Sequence, residues 1–394
     1  MGFALAVAYT ETSVEFFSCL ISGGCYQDLE YYRIDNCLEY FLARSYTKMI
    51  AEEERQFPLA YGILMYKNVC QLERLLQAIW RPSNLYCVHI DADADPRIKH
   101  NVKEIAKCFK NVFVPFKLID VTWPEGSILE ADMICMKELF NHKENYWGYY
   151  LNLNAHEYPL KTNLDIVRIL KILNGANSIS AWYRYFYKYE SFLEDPPPFP
   201  VDMWKGEFHT IACRGFVDYA LHNSYAQIYL DWLMKRFTPD DGFYNTLNFN
   251  PQLGAPGAYL GSGPRANSPY FHRLKHWDYD RCPSGSSECT ECGSDRWIRN
   301  ICIFGVRDLK RLTNLNNPAL FLNKFYWDIE PYTFDCLEKW HFGRVDAQYK
   351  SLLNLESEKD VKLGTGKEEL ATVNYSFYKA LDAVHNHLPC YPFQ

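Results

Sequence analysis

Short apolar segments alternate with amphipathic segments along the first half of this chain. Residues 61–66 are apolar, and residues 71–79 then carry apolar side chains at i, i+3, i+4 and i+7, which is one face of a helix. The same pair of patterns recurs, with further strands expected at 85–90, 112–121 and 149–153 and further helices at 97–108, 128–139 and 163–173. Strands that alternate with helices of this length are typical of βαβ units. The sequence therefore predicts an α/β fold with a central, mostly parallel sheet.

The limits of this alternating pattern also suggest domain boundaries. Residues 1–55 are polar and mixed and end in a charged run, which predicts an N-terminal stem. The main α/β domain is expected to span 56–345, with a stiff proline-rich loop at 194–200 and one more strand at 301–306. Residues 346–394 are charged and weakly periodic, so we expect a C-terminal extension there.

Charge and hydrophobicity argue against two classes of protein. The 394 residues carry 41 Lys and Arg against 48 Asp and Glu, and this net charge of −7 argues against a nucleic-acid partner. No apolar run approaches the roughly 18 residues that a membrane span needs. The apolar start of the chain is short and lacks basic residues, so it does not resemble a signal peptide.

The cysteine content points in a different direction. Fourteen cysteines favour disulfide bonds and a secretory compartment, with buried thiols as the alternative. Because no anchor is visible, we expect that a membrane anchor is missing from this sequence. Cys282, Cys289, Cys292 and Cys302 are close enough in sequence for a zinc site, but their spacing has no second Cys-x2-Cys pair. Disulfides are therefore favoured there too.

Two acidic clusters are candidates for chemistry. Asp91 begins an Asp-x-Asp-x-Asp pattern after an expected strand, where carboxylates could hold a metal that bridges a nucleotide diphosphate. A solvated acidic turn explains the same pattern. Residues 238–241, Thr-Pro-Asp-Asp, have the pattern of a helix N-terminus with Thr238 as the N-cap. One of their carboxylates could instead be a general base, and the pattern does not separate these alternatives.

Two basic residues and one sequon complete the set of candidates. Arg299 and Lys324 flank the strand expected at 301–306, and cations beside strand ends can neutralise a leaving diphosphate without a metal. Taken alone, each of them is better explained as an ordinary surface charge. Asn374 lies in an Asn-x-Ser sequon, which would accept a glycan only if the chain is lumenal.

Ordered motifs between roughly residues 57 and 340 match those of a known enzyme family. They include LERLLQAIWRP at 72–82, NLYCVHID at 84–91, CFKNVFV at 108–114, TPDD at 238–241, RNICIFG at 299–305 and NKF at 323–325. On these residues the chain resembles the core-2/I-branching β-1,6-N-acetylglucosaminyltransferases. The resemblance implies a GT-A-like fold and a type II membrane protein of the Golgi lumen. It also implies transfer of GlcNAc from UDP-GlcNAc to a glycan or glycoprotein acceptor, with inversion and without a metal or other cofactor.

The resemblance implies roles for individual residues. Arg299 and Lys324 look like the pair that neutralises the UDP diphosphate, and Asp91 looks like a nucleotide contact rather than a metal ligand. Tyr66 lies where the family has a histidine near the uridine. The acceptor-binding residues would be Trp277, Tyr279, Arg184 and Lys188. The implied disulfides are Cys37–Cys108, Cys87–Cys135 and Cys292–Cys302, with Cys336 bonded to Cys25 or Cys19.

The chain departs from the family pattern at the catalytic base. The family motif is Ser-Pro-Asp-Glu, and Asp241 stands in the place of the catalytic glutamate. The shorter side chain withdraws the carboxylate by more than about 1 Å, and misplacement on that scale can cost on the order of 10²-fold in rate. Gly242 could let the loop shift in compensation. An acceptor-binding glutamate of the family aligns near Ser180, which questions the usual acceptor.

These observations lead to one prediction with three alternatives. We expect an inverting, metal-independent transferase that adds GlcNAc in β-1,6 linkage to an O-glycan, with Asp241 as the base. The alternatives are a catalytically weak or silent sugar-binding homologue, a UDP-xylose-using peptide O-xylosyltransferase of the wider family, and a broken gene copy.

Overall fold

A six-stranded sheet forms the centre of the described part of the protein. The computed structural model describes residues 30–44, 46–47, 50–143, 146–181, 195–261, 271–278, 291–352, 373, 375–379 and 387–390. The strands in chain order are β1 (Leu59–Met65), β2 (Leu85–Ile90), β3 (Val112–Phe113), β4 (Tyr149–Asn154), β5 (Tyr158–Pro159), β6 (Ser178–Ile179), β7 (Thr210–Cys213), β8 (Arg273–Leu274), β9 (Trp297–Ile298), β10 (Ile301–Cys302) and β11 (Phe321–Leu322).

The strand order of the central sheet is β3-β2-β1-β4-β7-β6. The pairs β3–β2, β2–β1 and β1–β4 are parallel, whereas β7 is antiparallel to both β4 and β6. Only β7 therefore runs against the other strands of this sheet. The predicted α/β fold with a central, mostly parallel sheet is confirmed, and it fits the GT-A-like arrangement that the resemblance implies.

β1 and β2 are buried along nearly their whole length, which is typical of parallel strands covered on both faces. The helices of the described residues are Cys37–Ala43, Glu52–Arg55, Val69–Ile79, Pro96–Ala106, Ser127–Asn141, Asn163–Leu173, Arg214–His222, Ser224–Leu233, Phe243–Asn248, Leu309–Leu312 and Pro331–Leu352. The side chain of Asp95 accepts a hydrogen bond from the backbone N–H of Arg97 and caps the helix Pro96–Ala106. The last aspartate of the acidic cluster after β2 is therefore a helix cap. The helix Pro331–Leu352 continues through the predicted domain boundary at 345–346.

Three details of the sequence prediction are wrong. The strand expected at 112–121 is only Val112–Phe113, because Pro115 has no N–H for the ladder and Phe116 is fully exposed. The strand expected at 301–306 is only Ile301–Cys302, and a 3-10 turn begins at Val306. Thr238 is not a side-chain cap: its φ is +49°, and the turn Pro239–Asp241 after it is 3-10 rather than α-helical.

Disulfides connect the outer elements to the sheet. The structure contains Cys37–Cys108, Cys87–Cys135 and Cys292–Cys302, the pairings that the resemblance implies, and also Cys213–Cys390. Cys336 is disulfide-bonded, but Cys25 and Cys19, its expected partners, lie outside the described residues, as do Cys282 and Cys289. Cys292 and Cys302 are bonded to each other, so the zinc alternative does not hold for them.

Every helix within the described residues is too short or too polar to cross a bilayer.

A buried ion pair joins the expected stem to the α/β domain. The carboxylate of Glu54 lies 3.2 Å from the guanidinium of Arg81, and both side chains are almost fully buried. Asn163 and Tyr349 also donate hydrogen bonds to Glu54, at 2.6 and 2.5 Å. Four segments that are distant in sequence therefore meet at one carboxylate.

We predict that Glu54→Ala lowers the free energy of unfolding by about 3–5 kcal/mol, because it leaves the Arg81 guanidinium buried without its counter-charge. Urea denaturation of the oxidised protein measures this change. The matched control is Glu52→Ala, two residues away, whose ion pair with Arg55 is exposed and should matter far less. Equal effects of the two substitutions would contradict the prediction.

Candidate active site

The carboxyl ends of parallel strands meet at one edge of the sheet, where ligands of α/β proteins bind. Met65 and Ile90 are paired at the ends of β1 and β2, so Tyr66 and Asp91 follow neighbouring strand ends. Tyr66 is 54% exposed, whereas Asp91 is buried and accepts a hydrogen bond from the backbone N–H of Asp93 at 2.8 Å. Burial raises the pKa of Asp91. The structure thus places both predicted nucleotide contacts at the same edge.

Arg299 occupies the tip of a two-residue hairpin. Ile298 of β9 pairs with Ile301 of β10, so Arg299 and Asn300 form the whole turn, with φ of +51° and +60°. Such turns favour Asn and Gly, because both central residues must adopt the left-handed conformation. An arginine there is strained, and strain of this kind often accompanies a functional role. Its guanidinium carbon lies 5.1 Å from the centre of the Trp123 ring.

Lys324 comes to the base of the same hairpin from a different part of the chain. It lies two residues beyond β11, and its Nζ donates to the carbonyl oxygen of Ile298, next to Arg299, at 3.3 Å. Burial lowers the pKa of Lys324 to about 8, and the positive charges of Arg299 and Lys275 act in the same direction. The structure therefore brings Arg299 and Lys324 together, with a third cation nearby. Such a cluster favours a bound anion.

The turn Pro239–Asp241 carries two consecutive carboxylates near these cations. The Lys205 Nζ lies 3.0 Å from Oδ2 of Asp241, and the Gly206 N–H donates to the Asp241 carbonyl at 2.8 Å. Burial raises the pKa of Asp241, and Lys205 opposes the rise. Asp240 is 5% exposed, and its Oδ1 has no hydrogen-bond partner within the described residues.

Asp240 connects the acidic turn to the arginine hairpin. Burial raises the pKa of Asp240 to about 8, the charge of Asp241 adds to the rise, and the positive charges of Lys205 and Arg299 oppose it. Because Arg299 acts on both Asp240 and Lys324, the acidic turn and the two predicted diphosphate-binding residues lie in one electrostatic neighbourhood.

The expected acceptor platform is described only in part. Trp277 forms an isolated antiparallel bridge with Ile301 at the base of the hairpin, and the Lys275 Nζ lies 5.5 Å from the centre of its ring. Tyr279, Arg184 and Lys188 lie outside the described residues, as does the sequon residue Asn374.

Buried charged residues that sequence reasoning missed support the site. Glu157 is fully buried, 3.0 Å from Arg273 Nε and 2.7 Å from His209 Nε2, and it accepts a 2.8 Å hydrogen bond from Asn323. Burial alone would raise the pKa of Glu157, but Arg273 and His209 lower it to about 2. The only signal in the sequence was that these polar residues stand next to apolar strands.

A second buried pair, also missed, lies between Glu157 and the acidic turn. The Lys275 Nζ is 2.6 Å from Glu207 Oε2 and 3.1 Å from His209 Nδ1. Both charged side chains are less than one-tenth exposed. Since the charges of Lys275 and Glu207 also act on Asp241, the polar network continues from Glu157 to the acidic turn.

Comparisons with known proteins agree on one family. A model of the core-2/I-branching enzyme family matches residues 59–313. The β-1,3-galactosyl-O-glycosyl-glycoprotein β-1,6-N-acetylglucosaminyltransferase of bovine herpesvirus 4 (strain LVR140) is 33% identical over 311 residues, 74% of this chain and 69% of the relative. The Bos taurus protein of the same name is 30% identical, over 77% of this chain and 74% of the relative. A second Bos taurus protein, which has the same name followed by the number 3, is 32% identical over 80% of this chain and 75% of the relative.

This chain therefore belongs to the core-2/I-branching family and is a glycosyltransferase. The family resemblance stated on the sequence motifs is confirmed. Among solved structures, apo mouse xyloside xylosyltransferase 1 aligns with a TM-score of 0.27 and 11% identity, over 48% of this chain and 81% of that chain. That similarity is too weak to bear on fold or function.

The strained hairpin yields a prediction that separates folding from binding. Arg299→Ala removes the charge but keeps a Cβ in the left-handed turn, whereas Arg299→Gly removes both. We expect both variants to lose UDP affinity by roughly 10–100-fold, the typical effect of losing a charge-assisted hydrogen bond. The glycine variant should be more stable than the alanine variant by about 1 kcal/mol.

Calorimetric titration with UDP and urea denaturation measure the two effects. Equal stabilities of the two variants would contradict the strained turn, and an unchanged UDP affinity would contradict the expected binding role of Arg299.

Proposed function

We propose that this chain transfers GlcNAc from UDP-GlcNAc to a hydroxyl group of an O-glycan, in β-1,6 linkage, with inversion and without a metal ion. The observation that carries the proposal is the meeting of Arg299, Lys324 and the turn Pro239–Asp241 at one site. The names of the relatives support the transferred sugar and the linkage. The disulfides support a location in an oxidising compartment, which we propose is the Golgi lumen.

The proposed reaction is a direct displacement at the anomeric carbon of GlcNAc. The acceptor O6 attacks this carbon while its proton passes to the carboxylate of Asp241. The bond between the anomeric carbon and the UDP oxygen breaks, and its electron pair stays on the diphosphate. Arg299 and Lys324 stabilise the charge that develops there, which is the task a metal ion performs in other transferases.

The remaining predicted residues bind and orient the substrates. Asp91 and Tyr66 would contact the nucleotide at the carboxyl edge of β1 and β2. Trp277 would support the acceptor sugar through its ring, as flat aromatic surfaces do for sugar faces. Tyr279, Arg184 and Lys188 would complete the acceptor site.

The low pKa of Lys324 predicts proton uptake when UDP binds. With a pKa of about 8, free Lys324 is roughly half protonated at pH 8, and a bound diphosphate raises the pKa by favouring the ammonium form. At pH 8, Lys324 should therefore take up as much as roughly half a proton for each UDP bound. The affinity for UDP should fall as the pH rises further. In Lys324→Arg, the part of the uptake that comes from Lys324 should be lost because arginine stays charged, which leaves only the uptake of other groups such as Asp240.

Calorimetric titrations with UDP in two buffers of different ionisation enthalpy measure the uptake. The same buffer dependence for wild type and Lys324→Arg would contradict the assignment of Lys324 to the diphosphate.

The length of the base yields a further prediction. If Asp241 is held back by the missing methylene, Asp241→Glu should raise the rate of GlcNAc transfer, by as much as about 10²-fold. Asp241→Asn is the control that should abolish transfer without altering UDP binding. UDP release from UDP-GlcNAc with an acceptor array measures the transfer rates of both variants. Competition by UDP-xylose checks the identity of the donor. An unchanged or lower rate in Asp241→Glu would count against this role.

One observation favours a second candidate, a sugar-binding homologue without transfer activity. Asp241 is shorter than the family glutamate, and one of its oxygens is engaged by Lys205 at 3.0 Å. UDP binding without transfer to any member of the array, in wild type and in Asp241→Glu, would support this candidate.

A further inference from the structure

Lys205 contacts the proposed base from a segment that the motifs of the resemblance do not include. Its Nζ lies 3.0 Å from Asp241 Oδ2, and the two side chains are 19% and 25% exposed. The backbone adds a second link, since the N–H of Gly206 donates to the carbonyl oxygen of Asp241. The position of Lys205 relative to Asp241 is therefore fixed by the main chain as well as by the ion pair.

The two carboxylates of the turn face different charges. Asp241 faces Lys205, Lys275 and Glu207, in addition to its neighbour Asp240. Within the described part of the chain, Lys205 is the cation that contacts Asp241 directly.

Asp240 is in a different situation. The charges of Asp241, Lys205 and Arg299 act on Asp240. The charge of Asp240 in turn acts on the phenol of Tyr244, one turn further along the chain. Its Oδ1 is buried and has no hydrogen-bond partner among the described residues, so ionisation of Asp240 would leave a buried charge poorly compensated.

We propose that Lys205 is a positioning residue that makes Asp241, rather than Asp240, the ionised carboxylate of the turn. This inference rests on the proposed function, in which Asp241 is the base. Two adjacent carboxyl groups in a poorly solvated site do not both ionise readily, so the environment decides which one holds the proton. The ion pair at 3.0 Å assigns the negative charge to Asp241 and leaves its other oxygen to accept the proton of the acceptor hydroxyl.

The inference predicts the direction of a pH shift. A general base works only when it is deprotonated, so kcat/KM rises with pH through the pKa of the base. Lys205 lowers the pKa of Asp241. Removing the ammonium should therefore raise that pKa and move the acid limb of the pH profile to higher pH. The charge-conserving Lys205→Arg should keep the limb near its wild-type position.

The test compares pH profiles of UDP release for wild type, Lys205→Met and Lys205→Arg. In Lys205→Met we expect the acid limb to move up by about one pH unit, which is roughly a 10-fold loss of kcat/KM below the limb, with recovery at higher pH. A Lys205→Met/Asp240→Asn double variant should move the limb back down, because the competing carboxyl is gone. UDP affinity and urea midpoints confirm that the variants are folded, and Lys205→Gln replaces Lys205→Met if the latter is not.

Two results would overturn the proposal. One is an acid limb that stays in place in Lys205→Met while the rate falls uniformly, since a merely structural role gives that outcome. The other is an equal shift in Lys205→Met and Lys205→Arg.

Failure of the proposed function is distinguishable from failure of this inference. Transfer that survives in Asp241→Asn, or is absent from wild type, contradicts the function but leaves a second readout for Lys205. In protein labelled with ¹³C at the aspartate carboxyl groups, with Asp241→Asn assigning the signal, Lys205→Met should raise the titration midpoint of Asp241. An unchanged midpoint would overturn the role of Lys205 whether or not the protein transfers sugar.

Discussion

The buried carboxylate of Glu157 lies three residues beyond β4 and is the point at which the elements of the site are connected. Arg273 approaches it from β8, His209 from the segment before β7, and Asn323 from the residue before Lys324. A buried carboxylate without partners would be costly, so each of these contacts is under strong constraint. The Asn323 side chain donates a hydrogen bond to Glu157 at 2.8 Å, which fixes the backbone next to Lys324. This backbone in turn positions the Lys324 side chain, whose ammonium reaches the hairpin.

The same network explains how several cations can coexist at one sheet edge. The positive charges of Arg299 and Lys275 both disfavour the charged form of Lys324, and Glu157 offsets this only in part. Glu207 compensates Lys275 directly at 2.6 Å. The remaining positive charges repel one another in the free site, and a bound anion would reduce this repulsion. Pre-arranged positive charge of this kind needs little reorganisation when a diphosphate leaves.

The sequence allowed the regular elements to be predicted where local patterns dominate. β1, β2 and β4 and the helices between them follow from apolar runs and helical spacing, whereas β3 ends early because Pro115 breaks a run that hydrophobicity alone would extend. The site was less accessible to such reasoning. Arg299, Lys324 and Asp241 were candidates from their positions in the sequence, but only the family resemblance favoured a functional role for them. Glu157 was not, because its partners are far away in the chain, with Asn323 166 residues from it.

Arg299 shows why a strained residue can persist at the centre of such a site. A two-residue turn connects β9 and β10, so the hairpin fixes the backbone from which the Arg299 side chain extends. A longer loop with ordinary backbone angles would remove a strain of order 1–2 kcal/mol, but it would restrict the position of the guanidinium less. In the role that we propose for Arg299, which is to meet a departing diphosphate, a displacement of about 1 Å can cost more than that strain. The disulfide Cys292–Cys302, which binds β10 to the segment before β9, restricts the hairpin further. If Arg299 has the proposed role, rigidity at this turn serves the electrostatics of the site rather than the stability of the fold.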